Sequence, residues 1–129
     1  MTVELTVLIA GFGLAMFMSS VLLFRAMRQQ WGFKAMFGNR EGLPALTGWG
    51  GRVVRAYGNL MDNLLIYGGV VLTAHVAGIS NEITVLGAQI FLVSRMIHAL
   101  TYVGGVPVIR TVAYVGGAVG IIMIAAQLF

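Results

Sequence analysis

Residues 5–24 read LTVLIAGFGLAMFMSSVLLF. No side chain in this run carries a charge, and its length matches the roughly 20 apolar residues a helix needs to cross the hydrocarbon core of a bilayer. The last stretch of the chain, TVAYVGGAVGIIMIAAQLF after Arg110, repeats the pattern. Two less clean spans lie between them. One carries Arg52, Arg55, Asn59, Asp62 and Asn63; the other carries Arg95 and His98. The expectation is an all-α integral membrane protein, a four-transmembrane-helix bundle with up-down connectivity. It forms a single domain, 1–129, with helices at about 3–28, 49–77, 82–104 and 107–128, ends read this way being good to a few residues.

Composition supports that class and removes others. Of 129 residues, 59% are hydrophobic and 9% charged, where a soluble domain carries about 25% charged residues. Twelve charges cannot cover the surface of a small soluble domain, most of whose residues stay near water. The mean hydropathy of +0.93 agrees. A soluble globular enzyme, a disordered tail and a nucleic-acid binder are therefore excluded. The pI near 10.1 comes from an excess of only four positive charges, and their placement suits a membrane surface. The chain has no cysteine, so disulfides, Cys-based zinc sites and a protein thiol nucleophile are excluded. Any thiol chemistry needs a thiol brought in by a small molecule.

Between the spans, Gln29–Gly48 is the one long loop, holding Gly, Pro, Asn and three charges, Lys34, Arg40 and Glu41. Gly78–Asn81 is a short turn in which Ser80 or Asn81 caps helix three. Gly104–Gly105 ends helix three, and Pro107 suits the first turn of helix four, where its missing N–H costs nothing. Arg25, Arg28, Lys34, Arg40, Arg52, Arg55 and Arg110 gather at one end of the bundle; Glu4 and Glu82 mark the other. The positive-inside rule puts the basic loops in the cytoplasm and both termini outward. Helix one lacks a basic leader and a small-residue cleavage site, so it is expected to be retained.

Ionisable groups inside a bilayer are costly and usually face a bundle interior or a watery cavity. Arg55, Asn59 and Asp62 are spaced i, i+4, i+7, which aligns them on one face of helix two. Arg95, His98 and Tyr102 align in the same way on helix three. At 1.5 Å per residue, Asn59 lies about 15 Å and Asp62 about 20 Å along the helix from Trp49, and His98 and Arg95 about 10 and 15 Å back from Gly105. These groups overlap in depth with Arg110 at the start of helix four. They can line one cavity at the basic end. Its inventory suits a small anionic or zwitterionic ligand. Arg110 beside a helix N-terminus would lower the pKa of a ligand's thiol.

Arg52-Val53-Val54-Arg55-Ala56-Tyr57-Gly58-Asn59-Leu60-Met61-Asp62-Asn63 resembles the helix-two signature of the MAPEG family (membrane-associated proteins in eicosanoid and glutathione metabolism): Arg, three residues, Asn, two residues, Glu. Arg95-Met96-Ile97-His98-Ala99-Leu100-Thr101-Tyr102 resembles its helix-three pattern, and Arg110-Thr111 after Gly-Val-Pro-Val-Ile its helix-four start. The match is closest over about residues 50–115. The resemblance implies a homotrimer that binds glutathione between subunits near the cytoplasmic side. It implies a catalytic Arg110 that stabilises the thiolate, and glutathione contacts from Arg55, Asn59, Asp62, Asn63, His98, Tyr102 and Thr111. Arg95 and Arg52 would be structural polar residues, and Arg25 and Arg28 are the helix-one candidates. Two positions depart from the family: Asp62 stands for Glu, one methylene shorter, and Gly58 stands where one branch carries a basic residue. The style is that of short bacterial members, which points to the inner membrane.

The function expected is therefore a glutathione-dependent membrane enzyme, a transferase or peroxidase on a lipophilic electrophile, with membrane lipids around it and no nucleic acid. The alternatives are a non-catalytic protein of the same fold and, with less support, a small proton-coupled transporter working through Asp62. Four-span exporters place an acid in helix one, which here has no charge from Leu5 to Phe24. Other features have plainer readings. Asp62 and Arg95 can neutralise each other inside the bundle. Arg52 can snorkel to the interface. Trp31, Trp49, Tyr57 and His75 suit an interface. Gly116-x-x-x-Gly120 is a small-residue packing face, and the eight Met residues are apolar filler. No metal cluster, nucleotide loop or Ser/His/Asp set is present.

Overall fold

The computed structural model describes residues 1–129 and is all helical, without a strand. Helix α1 (Val3–Phe17) passes through a π-helical stretch (Met18–Leu23) into α2 (Phe24–Trp31), making one continuous rod. A 3-10 turn, Phe33–Phe37, leads into the loop before α3 (Gly48–Val76). Then come α4 (Glu82–Gly104) and α5 (Pro107–Ala125), the last closed by a 3-10 turn, Ala126–Leu128. Three of these rods, Val3–Trp31, Glu82–Gly104 and Pro107–Leu128, are long and apolar enough to cross a membrane. Helix α3 is the longest single α-helix but is not in that set. Its Arg52, Arg55, Asn59, Asp62, Asn63 and His75 interrupt the apolar run.

Local chemistry sets the helix ends. Asn81 closes a capping box on α4: its Oδ1 accepts from the Ile83 and Thr84 N–H groups, and its own N–H donates to the Thr84 hydroxyl. Gly105 takes the left-handed conformation (φ +79°) that ends α4, which a Cβ would disfavour. Pro107 is the first residue of α5. The connection after the first rod is more ordered than a free loop. Helix continues to Trp31, and side chains pin the segment beyond it. Trp31 Nε1 donates to the Pro44 carbonyl (3.0 Å), Gln30 Nε2 to the Ala45 carbonyl (2.9 Å), and Trp49 Nε1 to Gln29 Oε1 (3.2 Å). The two tryptophans therefore clasp this connection as well as suiting an interface.

Tyr67 of α3 stacks on Phe91 of α4, ring centroids 4.1 Å apart, at the centre of an apolar core that joins α1, α3, α4 and α5. Outside the core, Leu65, Leu72, Val76, Leu100, Val108 and Val112 are exposed, as side chains in contact with lipid tails would be. Helices α4 and α5 lie closest together, because glycines let their backbones meet. A Cβ on Gly87 would stand 2.7 Å from the Gly120 carbonyl oxygen, and one on Gly120 would stand 2.9 Å from the Phe91 nitrogen. This close approach fixes where Arg110, on α5, stands relative to His98 and Tyr102, on α4.

The acidic end holds a cluster that patterning does not reveal. Glu4, expected as an outer-end charge, is buried at 3% exposure. Its carboxylate accepts from the Ser80 hydroxyl (3.1 Å) and from the Thr84 hydroxyl, and its backbone carbonyl accepts from Tyr67 Oη (3.0 Å). One residue thus ties α1 to α3, to the α3–α4 turn and to α4. Glu4→Ala should lower stability by about 1–3 kcal/mol, since it removes the buried carboxylate through which the Ser80 and Thr84 hydroxyls are tied to α1. Thermal unfolding in detergent, followed by circular dichroism, measures it. An unchanged melting temperature would show the clasp to be idle.

Candidate functional site

The polar residues of α3 divide into those that turn inward and those that face out of the chain. Asn59 is half-buried and accepts at Oδ1 from Arg95 Nη1 of α4 (3.1 Å). Asn63 is buried one turn on, and its Nδ2 donates to the Asn59 carbonyl (2.8 Å). It buttresses Asn59 and does not point into an open cavity. Arg55 and Asp62, from the same stripe, are exposed. The alternative pairing of Asp62 with Arg95 is not formed. Arg95 instead reaches past Asn59 to α5, where its Nη2 donates to the carbonyls of Ala113 (3.2 Å) and Tyr114 (3.1 Å).

Arg95 is the largest fully buried side chain, at 1% exposure. Its Nε has no partner. The guanidinium lies 5.5 Å from the Tyr114 ring centroid and 5.8 Å from that of Phe91, so aromatic faces share in holding the charge. Gly117 makes room for it: a Cβ there would stand 2.7 Å from Nε. Arg95 thus bonds α4 to both α3 and α5. Arg52 does more than snorkel. Its Nε donates to the Val103 carbonyl (2.8 Å), satisfying one of the free carbonyls at the C-terminal end of α4.

A second group collects on α4 and α5. His98 is buried at 4% exposure; its ring centroid lies 5.4 Å from that of Tyr102 and 6.4 Å from that of Tyr114. Arg110 is half-buried and lays its guanidinium on the Tyr102 ring, 4.4 Å from the centroid. It belongs to the first turn of α5, whose N-cap, Val106, has no side-chain oxygen to cap the N–H groups there. Those donors and the positive end of the helix dipole stand beside the guanidinium. Thr111 is exposed and its hydroxyl donates to the Pro107 carbonyl (3.1 Å), which occupies its proton within its own helix. Arg25 and Arg28 are exposed on α2.

The structure therefore brings together Asn59 with Arg95, and His98 with Tyr102 and Arg110. It leaves Arg55, Asp62 and Thr111 on outer surfaces of the single chain. Sequence reasoning misses Tyr114. Its one signal is the i, i+4 spacing from Arg110, hidden in a run that reads as apolar span. Chemically, the cluster around Arg110 offers a fixed cation, free backbone donors and a buried imidazole, which together suit an anion. A family profile described as MAPEG family matches residues 5–129. No curated protein and no solved structure matches the chain.

Proposed function

Because the chain belongs to the MAPEG family, a family with both glutathione-dependent enzymes and non-catalytic members, we propose that it is a glutathione-dependent membrane enzyme. It acts as a transferase or peroxidase on a lipophilic electrophile. The observation that carries this is Arg110, held on Tyr102 at 4.4 Å beside the uncapped start of α5. With no cysteine in the chain, a thiol here belongs to a ligand, and glutathione would supply the nucleophilic sulfur. Arg110 and the first N–H groups of α5 hold negative charge where that sulfur would sit. Such fixed donors count for more out of water than in it. His98 stands behind Tyr102 as a hydrogen-bonding group.

The outward charges support a multi-subunit arrangement. An ionised side chain in lipid costs about 2.5–3.5 kcal/mol at mid-bilayer, and α3 turns Arg55 and Asp62 out of the single chain. A homotrimer in which a neighbour's α4 and α5 cover that stripe removes this cost and gathers all the polar groups at one cleft. Four spans with the basic loops in the cytoplasm of a bacterial inner membrane complete the arrangement. Glutathione then arrives from the aqueous side and the apolar substrate from the lipid.

One observation favours the non-catalytic alternative. Asn59, Asn63 and Thr111, three of the expected ligands, each have a polar atom engaged within the chain. Equilibrium binding of glutathione to the detergent-purified protein separates the two. Binding in the millimolar range or tighter, weakened about 10-fold or more by Asn59→Ala, is expected for loss of a charge-linked hydrogen bond. No binding by the wild type would end the glutathione reading and leave the fold without that chemistry.

A further inference from the structure

Away from the cluster around Arg110, a half-open apolar groove of about 320 Å³ runs between the first rod and α4. Leu14, Met18 and Leu22 line one side, and Met96, Ala99 and Val103 the other. Every lining residue is hydrophobic. Met18 and Leu22 belong to the π-helical stretch, whose wider turn carries an extra residue and re-aims the side chains around it; such turns often mark functional places.

The groove has a charged end. At Val103, Arg52 Nε is 2.8 Å from the carbonyl oxygen, and the terminal nitrogens of Arg52 make no hydrogen bond within the chain. One turn beyond Leu22, Arg25 is exposed on the same rod. Arg52 thus stands where the apolar lining stops at Val103, and Arg25 follows the lining residue Leu22 by three positions on the other wall, toward the end of the rod that carries Trp31. An apolar slot with a cationic mouth complements a molecule with an apolar tail and an anionic head. Basic pockets between transmembrane helices take such headgroups.

We propose that this groove binds an anionic phospholipid of the surrounding leaflet, one acyl chain lying between the π-helical stretch and α4 and the phosphate facing Arg25 and Arg52. The bound lipid fills the space between the two rods. This site does not depend on whether the protein uses glutathione.

The test compares dioleoyl phosphatidylglycerol with dioleoyl phosphatidylcholine on the detergent-purified protein, by native mass spectrometry and thermal shift. The phosphatidylglycerol should bind more tightly, by about fivefold for each arginine engaged. Arg25→Gln and Arg52→Gln should each reduce that preference, and Ala99→Leu, which fills the slot, should weaken both lipids. Leu100→Trp, at an exposed position on the groove wall, gives a readout independent of stability. Its fluorescence should be quenched more by phosphatidylglycerol with brominated chains than by the brominated phosphatidylcholine. Equal binding of the two lipids, unaltered binding by Ala99→Leu, or cross-links showing a second copy seated in the groove would each overturn the proposal.

Discussion

Arg110→Ala should abolish the ultraviolet absorbance of a thiolate that the wild type develops when glutathione is added. It should also slow turnover of an electrophile such as a chloronitrobenzene about 10²–10³-fold, the usual cost of removing one fixed donor from a developing negative charge. The guanidinium lies over Tyr102, 4.4 Å from the ring centroid, so the ring restrains where the charge can stand. Arg110→Lys keeps the charge but not the plane or the stack, so part of the absorbance should survive while turnover falls further than binding does. Tyr102→Leu removes the platform and leaves the charge. It should act like the lysine variant, lowering kcat more than it raises KM, because a loosened cation still attracts the ligand. A wild-type absorbance change in Arg110→Ala would mean that another group holds the sulfur, and Arg55 would be the next candidate.

The features legible in the sequence are those set by local chemistry. Gly105 and Pro107 act on their own neighbours, as does the cap at Ser80 or Asn81, which falls to Asn81, so the turn and cap positions follow from residue type. The scarcity of charge reveals the membrane class for the same reason: hydration of a side chain depends little on the rest of the fold. Contacts distant in sequence are not legible. Glu4 finds Ser80 and Thr84 across more than half the chain, and a carboxylate near a terminus carries no sign of that. The helix-two stripe shows the same limit more finely. At 3.6 residues per turn, Asn59 and Asp62 differ by about 60° around the axis. Periodicity places them on one broad face but not on the edge that meets α4. Packing chose Asn59 for Arg95 and turned Asp62 out. The π-helical stretch has no local signature either; residues 18–23 read as uninterrupted apolar helix.

Gly120→Ala should destabilise the protein by about 1–3 kcal/mol, the cost of forcing extra volume into a packed contact, and weaken glutathione binding although it lies well away from Arg110 in sequence. A Cβ at Gly120 meets backbone, standing 2.9 Å from the Phe91 nitrogen and 3.3 Å from its Cα. Backbone cannot step aside as a flexible side chain can, so α5 must shift. Arg110 would move with α5, while Tyr102 and His98 stay with α4, so the 4.4 Å stack would open. The same substitution elsewhere is the control. Gly13 and Gly69 are helical, and a Cβ on either meets nothing within 4 Å. Replacing either by Ala should stabilise by up to about 1 kcal/mol through helix propensity alone. Opposite signs for one chemical change, read by unfolding in detergent, would tie the α4–α5 contact to the site. A neutral Gly120→Ala would mean that the two helices have room to separate, and that the position of Arg110 is set by something other than this crossing.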